Sequence, residues 1–546
     1  MTHRVLFLVF AVSCLFVTLF SIFVFTGASA HSRPKVLLVG SYQGKAGQFS
    51  SIQAAVTAAR PGDWILIGPG DYHEQGSAVA GVLVTTSDIH IRGMDRNRVI
   101  VDGTNAKSGA QPCSSDPALQ NFGVGDAGRN GIEVLKVSGV SVENLTVCNF
   151  IGTNEFSGNQ IWFNGGAASG KIGLRAFTAT YLTTSSSYYK DNQSPQALYG
   201  IYAVSAGGPG LIDQTYASNM GAASYYIGAC PDCNTVLTHA HAQNSAAGYS
   251  GTNAGGRLII ENSEWDQNKS GLTPASVNNE AWPTPQNGAC PNGGRGPLGS
   301  HSCTIITNNF VHDNNNPNTP RANFEGESLL PIGTGIQIAG GQNDTIIHNR
   351  VTHNGSWGIV IYDILDPEAP PPQNPHPCRG GMQEGPICHF IGFGNEVADN
   401  VLKDNGFFGN VTNGDLADGH SEHNPGNCWH GNVDPKGITS TPAHIQTTLG
   451  TCGVANHGDP LVEAVVGCII NGEPQFCNAV PPLHLPTETA PALLPIPTQP
   501  SMANPCSGVP SNVWCSKGQL MVSSQQATSS GNSLMIADQR RRQGAY

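Results

Sequence analysis

At 546 residues the chain could hold several ordinary domains or one large repetitive one, and its 12 % of charged residues and 67 glycines suit an elongated β-protein with many tight turns. The formal charge is −12 and Lys/Arg cluster only at Arg540–Arg542, which excludes nucleic acid as a partner because nothing would displace its counterions. An anionic glycan would need a local basic patch or a bridging cation.

His3 and Arg4 precede an apolar run from Val5 to Phe25 and a small-residue stretch, Gly27–Ala30. Residues 1–30 therefore read as an export signal cleaved after Ala30, with an uncleaved anchor as the alternative and the only expected tie to a membrane. The expected location is extracellular or the cell surface. Cysteine usage agrees: setting Cys14 aside leaves fourteen in close neighbours. The expected pairs are Cys113–Cys148, Cys230–Cys233, Cys290–Cys303, Cys378–Cys388, Cys428–Cys452, Cys468–Cys477 and Cys506–Cys515. The C-x-x-C at Cys230 has no second copy to complete a zinc site, so it reads as a clamp on a turn.

Along the chain, Val36–Val39 is a first strand. Ile52, Ala55, Val56 and Ala59 lie at helical spacing in a segment of about 49–60, with Ser50 or Ser51 as N-cap and Pro61-Gly62 as stop. Trp64–Ile67 is a strand, and short apolar strands follow at Gly81–Val84, Val99–Val101, Gly131–Val134, Val140–Val147 and Gly200–Val204. The clearest unit is Gly333–Asp363. Gly335-Ile-Gln-Ile and Gly358-Ile-Val-Ile are one strand written twice, 23 residues apart, and between them lie a turn, the strand Thr345–Ile347 and a bend marked by Asn349 and Asn354. Four-residue phrases ending in asparagine recur at Asn219, Asn244, Asn268, Asn314, Asn354 and Asn405. Such a period predicts a solenoid of stacked coils, capped by the amphipathic helix, with amides stacked at each bend.

Ser51-Ile-Gln-Ala-Ala-Val, Pro61-Gly-Asp-Trp-Ile-Leu-Ile-Gly-Pro-Gly-Asp-Tyr72 and the phrase from Gly81 to Gly103 resemble the opening of right-handed parallel β-helix proteins of the pectin-lyase-like superfamily. The resemblance spans about 36–415 and implies an all-β, right-handed parallel β-helix with an N-terminal capping helix. It is specific for fold and weak for function. The solenoid domain is expected over 31–478, with disulfide-stapled insertions at about 276–300 and 366–389 and an irregular wrap from about 412. A Pro-rich linker or stalk (479–505), a small Cys loop and a disordered tail (506–546) complete the chain.

Stacked coils place equivalent side chains in columns. Just before the asparagine stand Ser218, Gln243, Gln267, Asp313, His353 and Asp404. One place earlier stand Ala217, Ala242, Asp266, His312, Thr352 and Lys403. The later coils thus gather Asp313, Arg350, His353 and Asp404 as candidate catalytic groups, with His312, Lys403 and Asp363 near in sequence. A carboxylate, a histidine and a cation together could remove a proton alpha to a uronate carboxyl. A second candidate is a metal set, Asp415, Asp418, His420 and Glu422, with calcium as the ion considered. No catalytic residue transfers from the superfamily's known enzymes: Asn343-Asp-Thr345 has the wrong order for a polygalacturonase-like strand, no R-x-P-x-x-R occurs, and Asp366-Pro-Glu and Asp434-Pro-Lys depart from the epimerase-like D-P-H-D. Two functions follow: a lyase or uronate epimerase acting on an acidic polysaccharide, or a non-catalytic surface protein that binds glycan or protein.

Overall fold

The computed structural model describes residues 33–154, 156–166, 171–190, 196–277, 283–322, 326–366, 378–384, 387–471 and 474–516. The expected leader, parts of both insertions and the tail beyond 516 lie outside them. Among the described residues no helix is long and apolar enough to cross a membrane.

Trp64–Ile67, Gly70–Tyr72 and Ala80–Val84 make one turn of a coil, and the next turn begins at His90–Gly93 directly beside Trp64–Ile67. Among the described residues, repetition gives three parallel sheets in which, outside the second insertion and the last strand, every third strand is a neighbour: sheet 1 with twelve strands, sheet 2 with ten and sheet 3 with eleven. The chain is therefore a parallel β-helix. Its core is one continuous apolar column from Val39 to Leu449, and each strand sends alternate residues into it.

The unit around Gly333–Asp363 pairs as expected, Ile336 lying over Ile359. It contains one strand more than the sequence pattern predicts. The bend between Asn349 and Asn354 holds a three-residue strand, Arg350–Thr352, which belongs to sheet 2. Three residues are too few for an alternating pattern to declare itself.

The ends are closed differently. Helix α1 (Ile52–Ala58) caps the first coils with Ile52, Ala55 and Val56, and its N-cap is Ser51, whose side chain accepts from the Ala54 N–H. Glu74 accepts from Ser51 Oγ and from the N–H groups of Ile52 and Gln53, which satisfies the free helix end. At the other end coils continue past the expected limit of 412. Gly414–Asp418 joins sheet 3 and Cys428–His430 joins sheet 1. Ile445 and Leu449 then fill the open core beneath Trp429. Helix α2 (Pro460–Asn471) lays Val462, Val465 and Val466 against Trp357, Val360 and Tyr362 on the outer face of sheet 3.

All seven expected disulfides form. Cys378–Cys388 staples a small antiparallel sheet (Ile364–Asp366, Met382–Glu384, Ile387–Phe390) at the second insertion.

The Pro-rich segment is not a projecting stalk. It runs back along the solenoid from the last coils to the first. Asn410, Asn219 and Asn97 each grip one strap residue at both its N–H and its C=O: His484, Leu494 and Gln499 respectively. These three are non-proline positions, which still carry the N–H that the amide needs. Further on, Trp514 Nε1 donates to Lys45 O at 2.9 Å.

Candidate functional site

Six strands of sheet 2 form the relevant face: β1 (Tyr216–Ser218), β2 (His241–Gln243), β3 (Glu264–Asp266), β4 (Phe310–His312), β5 (Arg350–Thr352) and β6 (Val401–Lys403). Each puts its middle residue (Ala217, Ala242, Trp265, Val311, Val351, Leu402) into the core. The flanking residues therefore point outward in two columns. One is Tyr216, His241, Glu264, Phe310, Arg350, Val401, and the other is Ser218, Gln243, Asp266, His312, Thr352, Lys403.

The residue after each strand turns the corner with positive φ: Asn219, Asn244, Gln267, Asp313, His353 and Asp404. The expected row is thus correct from Gln267 onward and one residue out for the first two coils. The amide ladder divides at the same place. Asn268 donates to Asn314, Asn314 to Asn354, Asn354 to Asn405 and Asn405 to Asp415, at 3.1, 3.2, 3.1 and 3.0 Å. Asn219 and Asn244 stand one place earlier, bonded to each other at 2.8 Å and to the strap. Ser245 occupies the ladder position in that coil, its N–H reaching Asn268 Oδ1. A second ladder, Asn309–Asn349–Asn400–Asn432, lines the corner between sheets 1 and 2.

On the face, Asp313 joins two histidines. His312 Nδ1 donates to Asp313 Oδ2 at 2.8 Å, and His353 Nδ1 donates to Asp313 Oδ1. Burial alone would raise the Asp313 pKa, but the bonds from His312 and His353 outweigh it and hold the carboxyl below its usual range. With Nδ1–H committed to Asp313, His353 presents Nε2 as an acceptor, whereas His312 Nε2 faces Glu264 Oε1 at 3.2 Å, a contact in which the carboxylate accepts. Arg350 lies over the Phe310 ring at 4.3 Å, Phe310 stacks on His312, and His353 stacks on the half-exposed Phe407. Asp404 sits one coil further and pairs with Lys436 and, at 3.8 Å, Lys403; Lys436 is the chief cause of its lowered pKa. Asp313 and His353 are therefore bonded to each other, Arg350 is linked to them through the Phe310 and His312 rings, and Asp404, one coil further, is ion-paired to lysines.

Asp363 is elsewhere. It is buried beside sheet 3, taking bonds from His389 Nε2 and from the N–H groups of Gly392 and Ser421. The proposed metal set does not converge either. Asp415 ends the amide ladder and accepts from Thr439. Asp418 is buried and accepts from His420 Nδ1 at 2.6 Å, Trp429 Nε1 and Asn427. Glu422 is exposed on the surface. Asp415 and Asp418 help build the closing coils and already have donors. Calcium ligation by these four would need Asp415 and Asp418 to leave those donors.

Sequence reasoning missed His241, Glu264 and Phe310 on the same face. The one-residue slip set Asp266 beside Ala242, a core residue, when its true neighbours are Gln243 and His312.

Comparison with known proteins gives fold neighbours only. No sequence family matches the chain, and no curated protein matches it. Among solved structures it is similar to the A-module of the mannuronan C-5 epimerase AlgE4 of Azotobacter vinelandii (12 % identity, TM-score 0.40, covering 70 % of this chain and 91 % of that one). It is similar also to the pectate lyase Pel9A (13 %, 0.33, 69 % and 77 %). A third is a tailspike mutant of E. coli bacteriophage HK620 in complex with a pentasaccharide (13 %, 0.37, 73 % and 58 %).

Proposed function

We propose that the chain acts outside the cell on an acidic polysaccharide laid along sheet 2, removing the proton alpha to a uronate carboxyl. The observation that carries this reading is Asp313 holding His353 by Nδ1, with Arg350 on the strand that leads into His353. An ionised Asp313 is a poor base but a good anchor: it fixes the tautomer that leaves His353 Nε2 open. His353 Nε2 takes the proton, and the carboxyl takes the charge as an enolate, which Arg350 neutralises. If the β-substituent then leaves, the reaction is an elimination; if a proton returns on the other face, it is an epimerisation. Phe310 and Phe407 offer apolar surface to sugar rings on the same face. Calcium, as a bridge between substrate carboxylates and this acidic surface, is part of the proposal.

The test is turnover on a panel of polyuronates with and without calcium, followed by unsaturated-product absorbance and by NMR of uronate configuration. Asp313→Asn and His353→Gln should each lower the rate at least about a hundredfold, with secondary structure unchanged by circular dichroism. Equal rates in wild type and both variants would sink the assignment. Binding without turnover on any substrate would leave the non-catalytic glycan-binding reading.

A further inference from the structure

Next to the histidine pair, the same face carries a group that the proton-transfer scheme does not use. His241, Glu264 and Asp266 each offer one ligand atom, and these atoms all lie within 4.8 Å of one another. His241 stands directly over Glu264 in the outward column, one strand spacing away, and reaches diagonally to Asp266, Nε2 to Oδ1 at 2.7 Å. The other Asp266 oxygen accepts from Gln243 Nε2 at 2.8 Å.

The two carboxylates face different surroundings. Asp266 is 4 % exposed, and its bonding partners are a neutral amide and an imidazole, so a carboxylate is buried with no fixed cation. Glu264 is open to solvent on one side and faces His312 on the other. Asp313 takes the Nδ1–H of His312, so a second carboxylate orients the ring that holds Glu264. A carboxylate fixing a histidine that fixes a carboxylate is the arrangement found around metal ligands, where outer groups aim the inner ones.

We infer that His241 Nε2, Asp266 Oδ1 and a Glu264 oxygen bind a divalent transition-metal ion, Zn2+ or Mn2+ in class. One imidazole and two carboxylates suit such ions better than calcium, which takes oxygen ligands and more of them. Three ligands on two adjacent strands leave positions open toward solvent, where a carboxylate or hydroxyl of a bound sugar could complete the shell. The inference stands apart from the proton-transfer reading, because binding is measured without substrate.

The experiment uses the full chain, stripped by chelator and dialysed. Zn2+, Mn2+ and Ca2+ are titrated separately by calorimetry, and retained metal is counted by mass spectrometry. One equivalent of Zn2+ or Mn2+ should bind, at least about tenfold tighter than Ca2+. His241→Gln and Glu264→Gln should each abolish that equivalent, and Asp266→Asn serves as a third variant if circular dichroism shows it folded. His312→Gln should weaken binding about 10- to 100-fold, and His353→Gln should leave it unchanged. The inference is overturned if stoichiometry is the same in His241→Gln and Glu264→Gln as in wild type. It is equally overturned if calcium binds as tightly as zinc and manganese do.

Discussion

Asn314 uses both amide hydrogens, one on Asn354 Oδ1 and one on Trp265 O, while its oxygen takes the Asn268 amide and the Asn268 N–H. Replacing it with leucine removes four bonds in a place water does not reach. Asn314→Leu should cost about 1–3 kcal/mol for each group left unpaired, read as a lowered midpoint in chemical denaturation. His73 gives a prediction in pH. Its pKa is raised to about 9, chiefly by the bond to Asp71, with burial opposing and Thr104 O assisting. A raised histidine contributes stability in full below its unfolded value near 6.5 and loses it as pH climbs through 9. Melting temperature should fall between those limits, and His73→Gln should flatten that part of the curve. Asp266 shows where single residues escape reading. Residue spacing says which phrases repeat, but a strand of three residues gives no alternation to fix its register. A slip of one exchanges the outward and the core face. His312, Asp313 and His353 lay on the correctly aligned side and were legible; His241 lay in a slipped coil, and Glu264 stood at the first residue of its strand, outside the two positions that the sequence aligned.

Among elements, the strap differs most from its sequence. Prolines made 479–505 look like a spacer, and composition alone could not reveal that solenoid amides would grip N–H groups between them. Arg96, 2 % exposed, adds to the hold: it donates to Thr183 Oγ1, to the carbonyls of Leu182 and Gln214, and to Pro500 O. It ties strap to coil by donating to these four acceptors, so Arg96→Met leaves them unpaired and should destabilise at about 1–3 kcal/mol for each group left buried without a partner. The expected signs are a lower unfolding midpoint and faster proteolysis within residues 484–505 than in wild type. Unchanged cleavage would mean that the asparagine grips suffice alone. The capping helix, by contrast, was legible down to a choice of two serines for its N-cap, of which Ser51 takes the place, because helical spacing, a serine pair and a Pro-Gly stop all agree.

For the whole molecule, each coil touches only its neighbours, so stability passes along the stack by contact. Ile52→Asp puts an unpaired carboxylate under the cap, at a position with no exposure. Hydrogen exchange should then rise through Val36–Val39 and Trp64–Ile67 while strands beyond Thr304 keep their protection. Uniform loss along the chain would show that the stack opens as one unit. The overall architecture was readable because a narrow core repeats the same demand every turn: a small run of apolar residues, then a polar corner. Its closure was not, since the last coils are made by groups such as Asp415 and Asp418 that look like ligands when seen without their donors.

The docking of Trp514 against Lys45 joins two segments 469 residues apart in sequence. A stack of this kind can begin forming as soon as a few turns exist, yet its opening rungs stay unfastened until residue 514 has been made. The clasp gives the first coils a fastening that their neighbours in the stack do not supply, so fraying at that tip has to release the end of the strap as well.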